Sequence, residues 1–317
     1  MPESGDRHYH LYLGTSKGCV VDVTFSVTPS TTEVNMEVEL LIQGHGDEIS
    51  GLSSVGDNFI TCGLDKTLIM WDTLTHKAKW VEAVRSPLTC VALSPDGSKF
   101  AAGSQDGYLY YTDVEERSLV RLKICDEAIV SLAFSPDGQK LAFGSKDECI
   151  YYFEHAAKYL PDNKSHTVLK GHSSYIKHLD FANDNIHLRS NSADHELLYW
   201  NGEEQVTSSE IIDEIDSEEG WSTQNCTLTF DTLGIWPIVA DGTDINVCAV
   251  YNAGQILAAG DDFGRVRIYQ FPTRQAEADC KELHGHADHV KNVAFAENGQ
   301  IISAGGLERS LLQWASS

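Results

Sequence analysis

The sequence predicts an all-β fold made of repeated small antiparallel sheets, and three observations predict it. The tetrapeptide Ser-Pro-Asp-Gly occurs at Ser94–Gly97 and again at Ser135–Gly138, forty-one residues on; each copy precedes an apolar run, a Gly-Ser-x-Asp turn and an aromatic-rich run. Gly56, Gly97, Gly138, Asn185, Gly254 and Gly299 each stand fifteen residues before Trp71, Thr112, Phe153, Trp200, Tyr269 and Trp314. Gly and Asn most readily take the left-handed conformation of a tight hairpin. Val91/Leu93, Leu132/Phe134, Leu179/Phe181, Cys248/Val250 and Val293/Phe295 precede five of those turns with the same alternation, and a period of two puts each pair on one face of a strand.

Each unit therefore reads as strand, tight turn, strand, tight turn, strand. Units of about forty residues with four short strands apiece point to a β-propeller of the WD40 kind. Six units carry their own first three strands: residues 45–80, 88–113, 127–154, 172–201, 223–271 and 286–315. A partial seventh lies at 8–43, where "HLYLGTS", "GCVVDVTF" and "MEVELLIQ" read as three strands with no inner strand before them. One such sheet cannot bury both faces alone, so blades must stack around a channel. The expectation is a seven-bladed propeller occupying residues 1–317 as one domain. Its last unit ends at Trp314 with no fourth strand, so two strand positions are empty, the ring is incompletely closed, and the free edges invite pairing with another segment. The chain is thus expected to be part of something larger.

Bulk properties narrow the function classes. The 317 residues are 42% hydrophobic, enough for a substantial core, and no apolar run is long enough to span a bilayer. "MPESGDRHYH" at the N-terminus has no apolar signal region, which argues against secretion. Eight cysteines are scattered singly, none at zinc-site or redox-dithiol spacing, and free thiols in a reducing compartment are expected. A net charge of −24 is the opposite of a nucleic-acid or anionic-membrane footprint and favours protein partners with basic patches. No metal, cofactor or catalytic group is expected.

The stretch Gly171–Trp200 places histidines, serines and aspartates within thirty residues, which could be a hydrolase site, a metal site or a structural device. In the WD40 pattern a histidine after glycine, a Ser/Thr, a turn Asp and a strand Trp interlock, and here those are His172, Ser190, Asp194 and Trp200. The unit beginning at His45 repeats them with Thr61, Asp65 and Trp71. A buried carboxylate would fix the imidazole tautomer, and the imidazole would order the hydroxyl and the indole donor. A catalytic set should occur once, on a cleft, whereas a lock should recur from sheet to sheet; this one recurs. The last unit keeps His286 and Trp314, with Ala304 and Glu308 read at the hydroxyl and Asp positions. The two Ser-Pro-Asp-Gly units carry Ala102/Thr112 and Phe143/Phe153 instead and are expected to rely on apolar packing.

Several segments are more specific than a generic repeat. "GHSSYIKHLDF" with "SNSADHELLYW", "GWSTQNCTLTFDTLGIWP", "DGTDIN", "AAGDDFGRVRIYQFP", "HGHADHVKNVAFAENGQIISAGGLERSLLQW" and "LYLGTSKGCVVDVTF" together resemble the second propeller of the echinoderm microtubule-associated protein-like family, from about residue 10 to 316. The resemblance implies a non-enzymatic, cytoplasmic protein of the microtubule cytoskeleton, with tubulin or microtubules as partner. It also implies a tandem of two propellers, often preceded by a coiled coil. These residues hold no coiled-coil heptads, first propeller or basic oligomerising region, so microtubule contact by this propeller alone is expected to be indirect or weak. Like charge on an acidic tubulin surface points the same way.

Other motifs have plainer readings. Asp261–Gly264 mimics a kinase Asp-Phe-Gly triplet, yet no His-Arg-Asp loop or Gly-rich loop accompanies it, and a hairpin turn is expected. Asp241 and Asp244 lie in "DGTDIN", which lacks EF-hand spacing; a turn capping a strand is expected. The acid-rich insert at about 203–220, with Glu214 and Glu218, reads as a solvated inter-blade loop or as a dock for a basic partner. Trp236 in "LGIWP" would anchor a neighbouring propeller or another protein if exposed. Three functions follow: a microtubule-associated scaffold, a general WD40 adaptor such as a ubiquitin-ligase substrate receptor, and a propeller hydrolase. The hydrolase would need one non-repeating carboxylate or His cluster near the axis, and none is found.

Overall fold

The structure is a computed structural model that describes residues 7–16, 18–28, 33–154, 166–208, 220–237, 245–251 and 255–314. It is all-β: seven antiparallel sheets, each built from consecutive strands, in the seven-bladed WD40 propeller class the repeat predicts. The chain divides into two compact units, Met1–Asp47 and Glu48–Ser317. The N-terminal unit holds one meander, β1 (Arg7–Gly14), β2 (Val20–Thr28) and β3 (Glu33–Ile42). Its register aligns Leu11, Val23 and Val38, then Leu13, Val21 and Leu40, so one face of the sheet is aliphatic.

The larger unit holds the other six sheets. They are β4 (Ile49–Val55), β5 (Asn58–Gly63), β6 (Thr67–Asp72) and β7 (Ala78–Ala83); β8 (Leu88–Leu93), β9 (Lys99–Ser104), β10 (Tyr108–Asp113) and β11 (Val120–Lys123); and β12 (Ile129–Phe134), β13 (Leu141–Ser145), β14 (Cys149–Phe153) and β15 (Thr167–Lys170). Then come β16 (Ile176–Phe181), β17 (Leu188–Ser192), β18 (Leu197–Trp200) and β19 (Gln205–Val206); β20 (Ile245–Tyr251), β21 (Ile256–Asp261), β22 (Arg265–Gln270) and β23 (Lys281–His284); and β24 (Val290–Phe295), β25 (Ile301–Gly305) and β26 (Ser310–Trp314). Among the described residues the first and last sheets of the chain are the two with three strands, at the places where the sequence reading expects empty strand positions. The turn positions behave as their residue types require: Gly56, Gly97, Gly138, Asn185 and Gly299 all have positive φ. Gly254 lies outside the described residues.

The core of the larger unit lies between sheets. One cluster packs Ile60, Leu68 and Met70 against Val91, Leu93 and Phe100, and the next packs Leu109 and Tyr111 against Ile129, Phe134 and Phe143. The last sheet packs against the β4–β7 sheet through Ile302 and Ala296 on Leu52, Phe59 and Trp71. Asn292 Nδ2 also donates to the Ser50 carbonyl at 3.1 Å. Among the described residues no strand is shared across that seam.

A repeated detail sets the spacing. Every inner strand of this unit has a register shift just after its first residue, leaving Ser50, Thr89, Val130, Lys177, Asn246 and Lys291 unpaired against the second strand. Such bulges sharpen the local twist. The residue before each bulge is aliphatic and buried, from Ile49 through Val290, and Ile129, Ile176 and Val290 seat on the second strand of the preceding sheet. A Cβ on Gly103, Gly144 or Gly260 would lie 2.6, 2.4 or 2.6 Å from a side-chain atom of Ile129, Ile176 or Val290. Glycine is there for space.

Between β16–β19 and β20–β23 the pattern changes, because the loop 220–237 is wedged between the sheets. Asn225 and Cys226 donate their backbone N–H to Asp180 at 2.7 and 3.0 Å, and Leu228 donates to Asn191 Oδ1 at 3.2 Å. On the other side Cys248 Sγ donates to the Gln224 carbonyl at 3.2 Å. Asn191 occupies the place that glycine holds in the neighbouring sheets, since here a backbone N–H needs an acceptor.

Candidate functional site

The polar sets singled out from the sequence sit on the second and third strands of their sheets. Leu188 pairs with Trp200 and Ser190 with Leu198, so residues ten apart on the two strands face the same side. Trp200 Nε1 donates to Ser190 Oγ at 2.8 Å, and Ser190 Oγ lies 2.6 Å from His172 Nε2. When Ser190 accepts from the indole and donates to Nε2, the imidazole proton is left on Nδ1. That nitrogen faces Glu196 Oε2 at 3.4 Å. Burial pushes His172 below the usual imidazole range, against the opposing pull of Glu196 and Asp194.

Asp194 does not orient the imidazole as the sequence suggests. It is exposed on the hairpin turn, where its two oxygens accept the Ser192 and Ser173 hydroxyls. The carboxylate opposite His172 comes from Glu196, two residues on, whose longer side chain reaches back from the start of β18. Asp65 accepts from Thr67 N at 3.0 Å and Thr67 Oγ1 at 2.6 Å. Trp71 Nε1 donates to Thr61 Oγ1 at 2.8 Å, whereas His45 belongs to the N-terminal unit.

The last sheet needs a second correction. Its hydroxyl is Ser303, not a position lost to Ala304: Trp314 Nε1 donates to Ser303 Oγ at 2.8 Å, and His286 Nε2 lies 2.7 Å from the same oxygen. His286 Nδ1 contacts Glu308. Burial works to raise the Glu308 pKa, but hydrogen bonds from Ser310, Ala287 and His286 outweigh it and hold the carboxyl below its ordinary value. The spacing concealed this, because the first hairpin of the sheet is one residue shorter and the second one longer. The β8–β11 sheet has a different polar lock, with Asp106 accepting from Ser104 at 2.6 Å and from Ser86 at 2.8 Å. In the β12–β15 sheet Phe143 stacks on Phe153 with centroids 5.8 Å apart.

His172, Asp194 and Glu196 are the one group among the described residues with metal-ligand spacing. Asp194 is engaged by two serines and His172 Nε2 by Ser190, while His172 Nδ1 and Glu196 Oε2 face each other at 3.4 Å without a hydrogen bond. The same histidine–carboxylate pairing recurs at His286 and Glu308, as a lock requires. The cysteines are thiols not joined in disulfides, and burial pushes Cys62 up to about 12 and Cys90, Cys226 and Cys248 well upward; thiols held protonated are poor nucleophiles.

The possible protein-binding residues fare differently. Glu214, Glu218, Asp241 and Asp244 lie outside the described residues. Trp236 is half-buried rather than free: its indole donates to the Thr227 carbonyl at 2.8 Å and its ring packs on the cluster around Ile235 and Tyr269. The 3-10 helix Phe230–Ile235 instead exposes Phe230 and Leu233. Within the acid-rich insert, Gln205–Val206 form β19, and Asp261–Gly264 is the hairpin turn between β21 and β22.

Sequence reasoning missed the charged centre of the wedge. Asp180 and Arg189 are directly paired on β16 and β17, both buried, with Arg189 Nε donating to Asp180 Oδ2 at 3.0 Å. Arg189 also reaches Gln224 at 2.7 Å and lies over the Trp221 ring. Asp180 also accepts from Thr223 Oγ1 and from the Asn225 and Cys226 backbone N–H, and such added hydrogen bonds make a buried ion pair tolerable. The signal was present: Asp180 interrupts an otherwise apolar "LDF", facing away from Leu179 and Phe181.

Residues 52–316 match the family described as the echinoderm microtubule-associated protein second beta-propeller. The chain is 35% identical over 318 residues to echinoderm microtubule-associated protein-like 4 of Mus musculus, covering 97% of this chain and 30% of that protein. It is 35% identical over 314 residues to echinoderm microtubule-associated protein-like 2 of Rattus norvegicus, covering 96% and 46%. With the 77 kDa echinoderm microtubule-associated protein of Strongylocentrotus purpuratus it shares 33% over 313 residues, covering 96% and 43%. The chain thus spans less than half the length of each of these relatives.

Proposed function

The chain belongs to the echinoderm microtubule-associated protein family through its second propeller, and from that premise we propose that it is a non-enzymatic protein-interaction scaffold of the microtubule cytoskeleton. The observation that carries this reading is the match along almost the whole chain to proteins named for microtubule association. The recurrence of the His–hydroxyl–Trp sets supports it, because groups repeated from sheet to sheet lock sheets rather than transform a molecule. Rigid sheets hold their loops in fixed geometry, which suits binding.

Contact with the microtubule by this propeller alone is weak or indirect. A net charge of −24 gives no long-range attraction to an acidic lattice, and at physiological salt only charges within about 8 Å act strongly. The partners are tubulin, microtubules or an assembly on them, together with a neighbouring propeller, and the location is the cytoplasmic cytoskeleton. Co-sedimentation with polymerised tubulin at low and at physiological salt tests the proposal. A small, saturable pelleting fraction is expected at both, carried by local contacts. No pelleting at either, from protein that circular dichroism shows to be folded, and none when a cytosolic extract supplies bridging proteins, would favour a general adaptor unrelated to microtubules.

A further inference from the structure

A cleft of about 820 Å³ opens between the β4–β7 sheet and the β8–β11 sheet, within the size range of sites that hold small ligands or short peptide segments. Its floor is apolar: Trp80 and Val114, both half-buried, with Met70 and Leu93 beneath. Trp80 is held in place by its tilted packing on Phe100, centroids 5.8 Å apart, so the floor is formed in advance of any ligand.

The rim is acidic. Asp96, Asp113, Glu115 and Glu116 line it beside Lys79 and Arg117, with Lys99 acting on Asp96 from nearby. Lys79 is already committed, 3.1 Å from Asp72 and 2.5 Å from Asn58 Oδ1. Asp96 is oriented by Ser94 and Ser98, which donate at 2.6 and 2.7 Å and hold its carboxyl down at about 2. Glu115 and Glu116 stand exposed on the turn between β10 and β11. An apolar slot edged by surplus carboxylates is complementary to one kind of segment, an aliphatic side chain flanked by Lys or Arg.

We propose that this inter-sheet cleft is a docking site for a basic, amphipathic peptide segment of a partner protein. The aliphatic residue covers Trp80 and Val114, and the flanking cations meet Glu115, Glu116 and Asp113. Because the whole chain is acidic, diffuse attraction of any cationic peptide is the competing explanation, and the test separates the two.

The probe is the fluorescein-labelled octapeptide Gly-Lys-Arg-Leu-Leu-Arg-Lys-Gly, titrated by fluorescence anisotropy with the intact chain. Saturable binding is expected, falling about tenfold or more when the leucines become serines, since their burial on the floor is lost. The double variant Glu115→Gln, Glu116→Gln alters only exposed side chains and should weaken binding about three- to tenfold. The control pair Glu203→Gln, Glu204→Gln, equally acidic and exposed on another sheet, should leave it unchanged. Absence of saturable binding, equal loss in both double variants, or equal affinity for the serine peptide would each overturn the proposal.

Discussion

His178 shows how much one side chain is asked to do in a propeller seam. Its Nε2 lies 3.0 Å from the Asn246 carbonyl, an acceptor only, so Nε2 carries the proton and ties β16 to β20. Burial, then the neighbouring Lys177, push its pKa down to about 4, while Asp180 and the Asn246 carbonyl pull upward. The folded state therefore keeps the ring neutral where the unfolded chain, with an ordinary value near 6.5, takes up a proton. The stability this contributes is complete above about pH 6.5 and is lost as pH falls toward 4, up to about 3 kcal/mol. Buried His172 and half-buried His166, also depressed, add in the same direction. Urea melts of wild type and His178→Gln between pH 7 and 5 check this: the wild type should lose more stability than the variant. Equal slopes would show that His178 is not the titrating group.

At the scale of the element, the unit is a hairpin pair whose second strand carries a small residue facing the next sheet. Gly144→Ala should destabilise the chain by about 1–3 kcal/mol, because the new methyl would meet Ile176 Cγ2 at 2.4 Å and Ser131 Oγ at 2.6 Å. Gly14→Ala, with nothing within 4 Å, should stay within about 0.5 kcal/mol; urea midpoints compare the two, and equal effects would refute the seating of Ile176 on Gly144. Strands, turns and sheet count were legible because positive φ restricts residue type and alternation restricts face. The bulges were not legible, since Ser50, Val130 and Lys291 share no chemistry and only backbone register unites them. Ser303 was hidden by two compensating one-residue changes in hairpin length. Glu196 was hidden because a repeat pattern fixes a position, whereas reach depends on side-chain length. The Asp180–Arg189 pair was legible in principle, as a charge in an apolar strand, but its partners lie more than thirty residues away in a loop with no repeat counterpart.

Across the whole molecule, stability and binding occupy different places. Apolar clusters and polar locks lie between and within sheets, whereas the acidic rim, Phe230, Leu233 and the turn residues lie on the surface. Family membership assigns the chain to a lineage of microtubule-associated proteins, and under the proposed scaffold role its surfaces are the working parts. That separation is tested most directly by measuring thermal unfolding and tubulin pelleting on the same preparations of wild type, His172→Ala and Ser303→Ala. Each variant should lose about 1–3 kcal/mol of stability, as expected when buried partners are left unsatisfied, while below its melting temperature it pellets the same fraction as wild type. Unchanged melting with pelleting abolished would contradict the account, because those side chains would then be contacting a partner rather than holding a sheet.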